Sequence, residues 1–199
     1  MNPYRDGHAQ EYLGTFLKRY FDDEEPRTLI FGINPGRFGA GVTGIAFTDP
    51  VALADFCGIA NQEPRRRELS SVFIYDMIGA LGGVEAFYRR FFLTAISPLG
   101  FTRRGVNLNY YDDRALERAV TPFIARTIEQ QIGFGGRRDR AIVLGTGENL
   151  RFVRAVNDKH RFFSEVVGLE HPRFIMQYRR KQLTAYIRKY AEVLGKTGV

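Results

Sequence analysis

Thr28-Leu29-Ile30-Phe31-Gly32-Ile33-Asn34-Pro35-Gly36-Arg37-Phe38-Gly39-Ala40-Gly41-Val42-Thr43-Gly44-Ile45-Ala46-Phe47 starts as a short apolar run and breaks at once into a glycine-rich segment. The run up to Ile33 reads as a buried strand. The stretch holds five glycines, which let backbone N–H groups and a flat ligand come close. In parallel α/β sheets, chemistry sits where the carboxyl end of a strand enters its loop. Asn34 stands at that junction. Phe47, thirteen residues on, offers a face for stacking. A polar amide, a backbone cradle and an aromatic face together suit a planar, polar ring.

Outward from this stretch, strands and helices alternate. Ala9 to Phe21 carries Tyr12, Leu13, Phe16, Leu17, Tyr20 and Phe21 at three- and four-residue spacings, the mark of an amphipathic helix. The first strand is expected near Arg27 to Ile33. Pro50 to Ala60 reads as helical, with Asp49 as its cap. A polar loop, Asn61 to Arg67, leads to a helix from Ser70 to Gly79. Further strands are expected at Phe91 to Ile96, Ala141 to Leu144 and Phe163 to Val167. Further helices are expected at Asp113 to Ile132, Glu148 to Asn157 and Gln182 to Leu194. This order implies an α/β fold, a parallel sheet covered on both faces. At 199 residues the chain is expected to form a single domain, 1–199.

Composition narrows the function classes. There are 29 Lys and Arg against 22 Asp and Glu, a formal charge of +7, which favours a polyanionic partner. The single Cys57 excludes an intrachain disulfide and an all-cysteine iron–sulfur cluster, and fits a reducing cytoplasm. His8, His160 and His171 are too scattered to read as a metal site. No apolar run approaches the ~20 residues of a membrane span, and no signal-peptide core follows Met1.

Three motifs need weighing. Gly39-Ala40-Gly41-Val42-Thr43-Gly44 fits G-x-G-x-x-G, yet the dinucleotide fingerprint requires glycines that open a helix directly after the strand. Here Asn34-Pro35 intervenes. No Gly-Lys-Ser/Thr follows, so no P-loop is present. The second motif is His171-Pro172-Arg173-Phe174-Ile175-Met176-Gln177-Tyr178-Arg179-Arg180-Lys181. From His171 to Ala191 there is no acidic residue. Basic residues interleaved with apolar ones suit a loop that grips phosphates and enters a base stack; the alternative is a solvated helix start with Phe174 and Met176 turned to the core. The third is a set of arginine clusters, Arg65-Arg66-Arg67, Arg103-Arg104 and Arg137-Arg138, each read as a solvated loop or as part of one phosphate-binding face.

Gly32-Ile33-Asn34-Pro35-Gly36, with Phe38-Gly39 and Thr43-Gly44-Ile45-Ala46-Phe47, resembles the first motif of the single-strand-selective monofunctional uracil-DNA glycosylases, part of the uracil-DNA glycosylase superfamily. His171-Pro172 resembles the start of their second motif. Gly83 to Tyr88 and Ser97-Pro98-Leu99 match in order and spacing. The closest likeness is to a bacterial second branch of that family. The resemblance implies a three-layer α/β/α sandwich around a four-stranded parallel sheet, no metal, no cofactor, DNA as partner in single- or double-stranded form, and a monomer. It implies hydrolysis of the N-glycosidic bond of a damaged base.

On the matching positions, Asn34 takes the water-positioning place and His171 the place that hydrogen-bonds the departing base. Phe47 takes the stacking place, and Gly36 the place beside the 5-position of the base. Gly32, Ile33, Pro35, Phe38, Ala95 and Ser97 complete the expected base-binding set. Pro172, Arg173, Phe174, Gln177, Tyr178, Arg179 and Arg180 form the expected DNA-binding set. Two departures stand out. Ala95 lies where the family carries an asparagine that reads the pyrimidine edge, so the expected pocket is less selective and also admits xanthine and hypoxanthine. The second motif is longer and lacks the family's later proline, which leaves the wedge residue open. Asn107 and Asn109 read as turn residues that could supply the lost amide, and Asp49 as a reserve base. A non-catalytic reader of damaged or single-stranded nucleic acid and a small-molecule hydrolase remain rival readings of the residues alone.

Overall fold

A computed structural model describes residues 1–195. In chain order, helix α1 (Gly7–Tyr20) precedes strand β1 (Arg27–Gly32). Short helices α2 (Ala40–Thr43) and α3 (Pro50–Asp55) lead to α4 (Leu69–Ala80) and α5 (Val84–Tyr88). Strand β2 (Phe91–Ala95) is followed by a hairpin, β3 (Phe101–Arg103) and β4 (Val106–Leu108). Then come α6 (Arg114–Gly133), β5 (Gly136–Leu144), α7 (Glu148–His160), β6 (Glu165–Leu169), α8 (Pro172–Tyr178) and α9 (Leu183–Gly195).

The main sheet is four-stranded and parallel, in the order β2-β1-β5-β6. Strand β1 is buried along its whole length, as a central strand with both faces covered must be. Period-2 alternation divides its side chains between two cores. Ile30 joins Ile142 and Leu144 against α1, α4, α8 and α9. Leu29 and Phe31 join Ala141 and Val143 against α6 and α7. The architecture is therefore the α/β/α sandwich that the family resemblance implies. Helix α4 is apolar nearly all round, because it packs under both α8 and α9 as well as in the first core.

Several boundaries differ from the sequence reading. Helix α3 stops at Asp55 rather than Ala60, where the Cys57 and Ile59 amides bond back to Ala52 and Leu53 and Gly58 turns to φ +62°. Strand β6 begins at Glu165, since Asn157 captures the backbone of Phe163 with both ends of its amide and holds it out of the sheet. The β3–β4 hairpin and α5 carry too few residues for a periodic signal, and the sequence did not reveal them. The segment after His171 is a helix, not a loop: Pro172 sits at its first position and His171 caps it.

The chain order places β1 between β2 and β5, so successive connections leave it in opposite directions. Such a switch point opens a crevice outside the carboxyl ends of the strands. Asn34 after β1, Ala95 at the end of β2 and His171 after β6 all reach that end of the sheet.

Candidate active site

Asn34 is held from both sides. Its Nδ2 donates to the Leu108 carbonyl at 3.1 Å, and its Oδ1 accepts the Tyr110 N–H at 3.1 Å. Leu108 ends β4 and Tyr110 follows just after it, so an element more than seventy residues away fixes the amide's orientation. Tyr110 is anchored in turn. Its buried hydroxyl donates to Asn149 Oδ1 at 2.7 Å, and Asn149 Nδ2 donates to the Leu144 carbonyl at the end of β5 at 3.0 Å. The result is a chain from one strand end to the next through three side chains. An oxygen with two lone pairs still has one to offer after the Tyr110 bond, and the Nδ2 group still has one hydrogen.

This network yields a prediction. Tyr110→Phe leaves Asn149 Oδ1 buried without its donor, which costs about 1–3 kcal/mol. For a chain of this size that lowers Tm by roughly 2–10 °C in calorimetry. Catalysis should fall less than ~10-fold, because the Tyr110 N–H that holds Asn34 is backbone and remains.

Phe47 has φ +54°, a conformation that side-chain-bearing residues rarely adopt. The turn lays its ring against Gly32: a Cβ there would meet Phe47 Cε2 at 2.5 Å and Cζ at 2.7 Å. The glycine at the end of β1 is thus needed to admit the ring. The ring also lies beside His171, with centroids 5.7 Å apart and planes at 42°. That contact joins the two sequence motifs in one place.

His171 Nδ1 accepts the Arg173 N–H at 3.2 Å as the cap of α8. In the neutral ring this bond puts the proton on Nε2. Burial, with a smaller contribution from the Arg173 charge, lowers the His171 pKa to about 4. The imidazole is therefore neutral at physiological pH and keeps an N–H to donate.

The cleft wall includes Ile33, Asn34, Pro35, Gly36, Phe38, Phe47, Ala95, Asn107, His171, Arg173, Phe174, Gln177 and Tyr178. Most of the residues expected from the sequence are therefore together. Ser97 is not: it is fully buried, and its hydroxyl is spent on the Leu99 carbonyl at 2.9 Å within its own turn. Asp49 is not available as a base either. Its Oδ1 caps α3 through the Ala52 N–H at 2.8 Å, and its Oδ2 accepts the Glu68 N–H at 2.8 Å. Asn109 is tied to Asp112 by its backbone N–H and its side chain. Among the described residues, no group of three or more His, Cys, Asp or Glu converges as a metal site would.

One wall residue escaped the sequence reading. Glu68 precedes α4 but does not cap it with its side chain. Its carboxyl lies across the glycine loop instead, 3.2 Å from where a Cβ of Gly36 would stand and in contact with Gly39. The glycine spacing was a signal that something close-packed lies there, but nothing in the sequence identified it.

Helix α8 is divided. Ile175 and Met176 enter the core, while Phe174 and Tyr178 are 40% and 60% exposed. Their rings lie 5.5 Å apart, with the Arg179 guanidinium 5.3 Å over Phe174. Of the arginine clusters, Arg65 and Arg67 pair with Asp55, Arg103 with Asp113 and Arg137 with Asp139. Arg66 instead lies 3.4 Å over the Phe38 ring at the rim of the cleft, with Arg37 also near that ring at 4.8 Å. No helix among the described residues is long and apolar enough to cross a membrane.

Residues 19–195 match the model of the uracil DNA glycosylase superfamily. The chain belongs to that superfamily. It is a DNA glycosylase, a hydrolase of base excision repair whose partner is DNA. Among solved structures, the crystal structure of wild-type SMUG2 from Pedobacter heparinus is similar to it, with a TM-score of 0.94 and 45% identity over 98% of this chain and 86% of that one. This places the glycosylase in the single-strand-selective monofunctional family. Comparison with the curated proteins finds no match.

Proposed function

We propose that the cleft receives a deaminated base extruded from DNA, and that Asn34 and His171 divide the work of hydrolysing its N-glycosidic bond. A base inside a duplex is out of reach, so the nucleotide must leave the stack. The Phe47 ring supplies the stacking face. The bond breaks towards an oxocarbenium-like sugar and an electron-rich base, so the reaction depends on stabilising the leaving group more than on a strong base. His171 donates Nε2–H to that base from a ring that is neutral at working pH. Asn34 cannot take a proton; its amide, already fixed in direction, orients the attacking water. The observation that carries this reading is the double clamp on Asn34 in the cleft that also holds the Phe47–His171 pair.

Ala95 on the cleft wall has no amide to read one pyrimidine edge. The substrate range is therefore uracil together with xanthine and hypoxanthine. Normal bases are spared chiefly because they pair well and cost more to extrude. The enzyme works as a monomer and as one domain, on single- or double-stranded DNA, and does not nick the strand. Oligonucleotides carrying uracil, xanthine or hypoxanthine should each yield alkali-labile abasic sites. DNA binding with no abasic product from any of them would favour the non-catalytic reader instead.

Helix α8 and the turn that follows it form the proposed DNA-contacting element, with Arg173 and Gln177 on the helix and Arg179 and Arg180 beyond its end at phosphates, and exposed Phe174 or Tyr178 as the wedge. Replacing Arg179 and Arg180 by serine should weaken DNA binding and flatten the log–log salt dependence by up to about two units, close to one per lost phosphate contact. A salt slope equal to that of the parent enzyme would place this segment away from the DNA.

A further inference from the structure

Gly36, two residues beyond Asn34, is flanked by two polar side chains from separate elements. Glu68 Oε1 lies 3.2 Å and Asn107 Nδ2 3.8 Å from the position its Cβ would occupy. The Phe38 backbone N–H also favours the ionised form of Glu68. Asn107 comes from the hairpin, and its Oδ1 is buried without a hydrogen-bond partner among the described residues. Polar atoms in such a place normally find partners. Glu68 and Asn107 both line the cleft that holds Asn34, Phe47 and His171.

We propose that Glu68 and Asn107 read the far edge of the bound base, and that for a deaminated purine Glu68 is the acid that protonates N7. This rests on the reading of the cleft as a base pocket. Hypoxanthine and xanthine present two adjacent acceptors on one edge, N7 and O6. Asn107 Nδ2 donates to O6 while its Oδ1 accepts the adjacent N1–H, and the Glu68 O–H donates to N7. The proton moves from Glu68 to N7. The C1′–N9 bond then breaks, its electron pair going to the purine, which leaves as a neutral base. Water oriented by Asn34 adds to C1′, and the proton it releases returns to the Glu68 carboxylate. Uracil carries a C–H at the corresponding position and gains nothing from this acid; it leaves as an anion beneath His171. A 5-methyl group, as in thymine, would press on the Glu68 carboxyl and strip its solvent.

Three charged groups face Glu68. Asp49, at the cap of α3, favours the protonated acid, while Arg173 on α8 and Arg66 at the rim oppose it. Burial is the largest influence, and the pKa is raised.

The experiment compares single-turnover excision of hypoxanthine and uracil by the parent enzyme and Glu68→Gln across pH. Glutamine keeps a hydrogen-bond donor but has no proton to give. The hypoxanthine-to-uracil rate ratio should fall roughly 100-fold or more, the scale of general acid catalysis. In the parent enzyme, hypoxanthine excision should decline as pH rises through the Glu68 titration, and uracil excision should not share that decline. This profile decides the matter even where the variant fails to fold. Equal losses on both bases, or identical pH profiles for both in the parent enzyme, would overturn the proposal. Excision of uracil but not hypoxanthine would overturn it while leaving the glycosylase reading intact. Excision of neither would overturn the reading of the pocket itself.

Discussion

Asn34→Ala is expected to slow single-turnover excision by at least ~100-fold while changing DNA affinity little. In the proposed mechanism the variant loses the group that orients the water, and misplacing a reactant by even an ångström carries a penalty of that order. It also frees the hairpin, because Asn34 bonds to both Leu108 and Tyr110. Asn34→Asp sharpens the test. A carboxylate can still accept the Tyr110 N–H, but it turns an oxygen towards the Leu108 carbonyl where Nδ2 donated. Aspartate should therefore be impaired as well, despite its similar size. Near-normal rates for alanine, measured with enzyme in excess over a uracil oligonucleotide, would remove Asn34 from the chemistry.

His171→Ala should cost on the order of 2–4 kcal/mol of transition-state stabilisation, a rate loss of about 30- to 1,000-fold. The loss should be smaller for bases that leave more easily. An equal loss on every base, together with a lower Tm, would instead mark the residue as a helix cap alone. The role requires a neutral ring, and the pKa near 4 supplies it. Ring resonances followed by NMR should show His171 titrating well below the ordinary 6.5. The folded-state value is the lower one, so the unfolded chain holds the proton more tightly. Stability linked to this group is fully present above about pH 6.5 and is lost as pH falls towards 4.

Much of the site was legible because each signal was local. Asn34 followed an apolar run and preceded a proline and a glycine, and a strand end needs no more to be recognised. His171-Pro172 read as a junction for the same reason. What it adjoins was misread: interleaved basic and apolar residues suggested a loop, whereas Pro172 and the His171 cap start a helix. The two alternatives for that segment divide its residues between them, since Met176 enters the core and Phe174 does not. Ser97 was drawn into the site by its neighbourhood in the sequence, but its hydroxyl closes its own turn.

The alternation of apolar runs and helical periods by itself determined the parallel sheet, its two covering layers and the strand ends that border the cleft. Those are consequences of side-chain spacing, which is written residue by residue. The partners of Asn34, the packing of Phe47 on Gly32 and beside His171, and the arrival of Glu68 and Asn107 around Gly36 were decided only by the tertiary structure. Each joins residues from separate elements, and apolar periodicity sets which face of an element is buried but not which polar atoms meet across the ends of the sheet. Those meetings depend on strand order and on the hairpin folding back over the first loop, and their distances are properties of the packed chain.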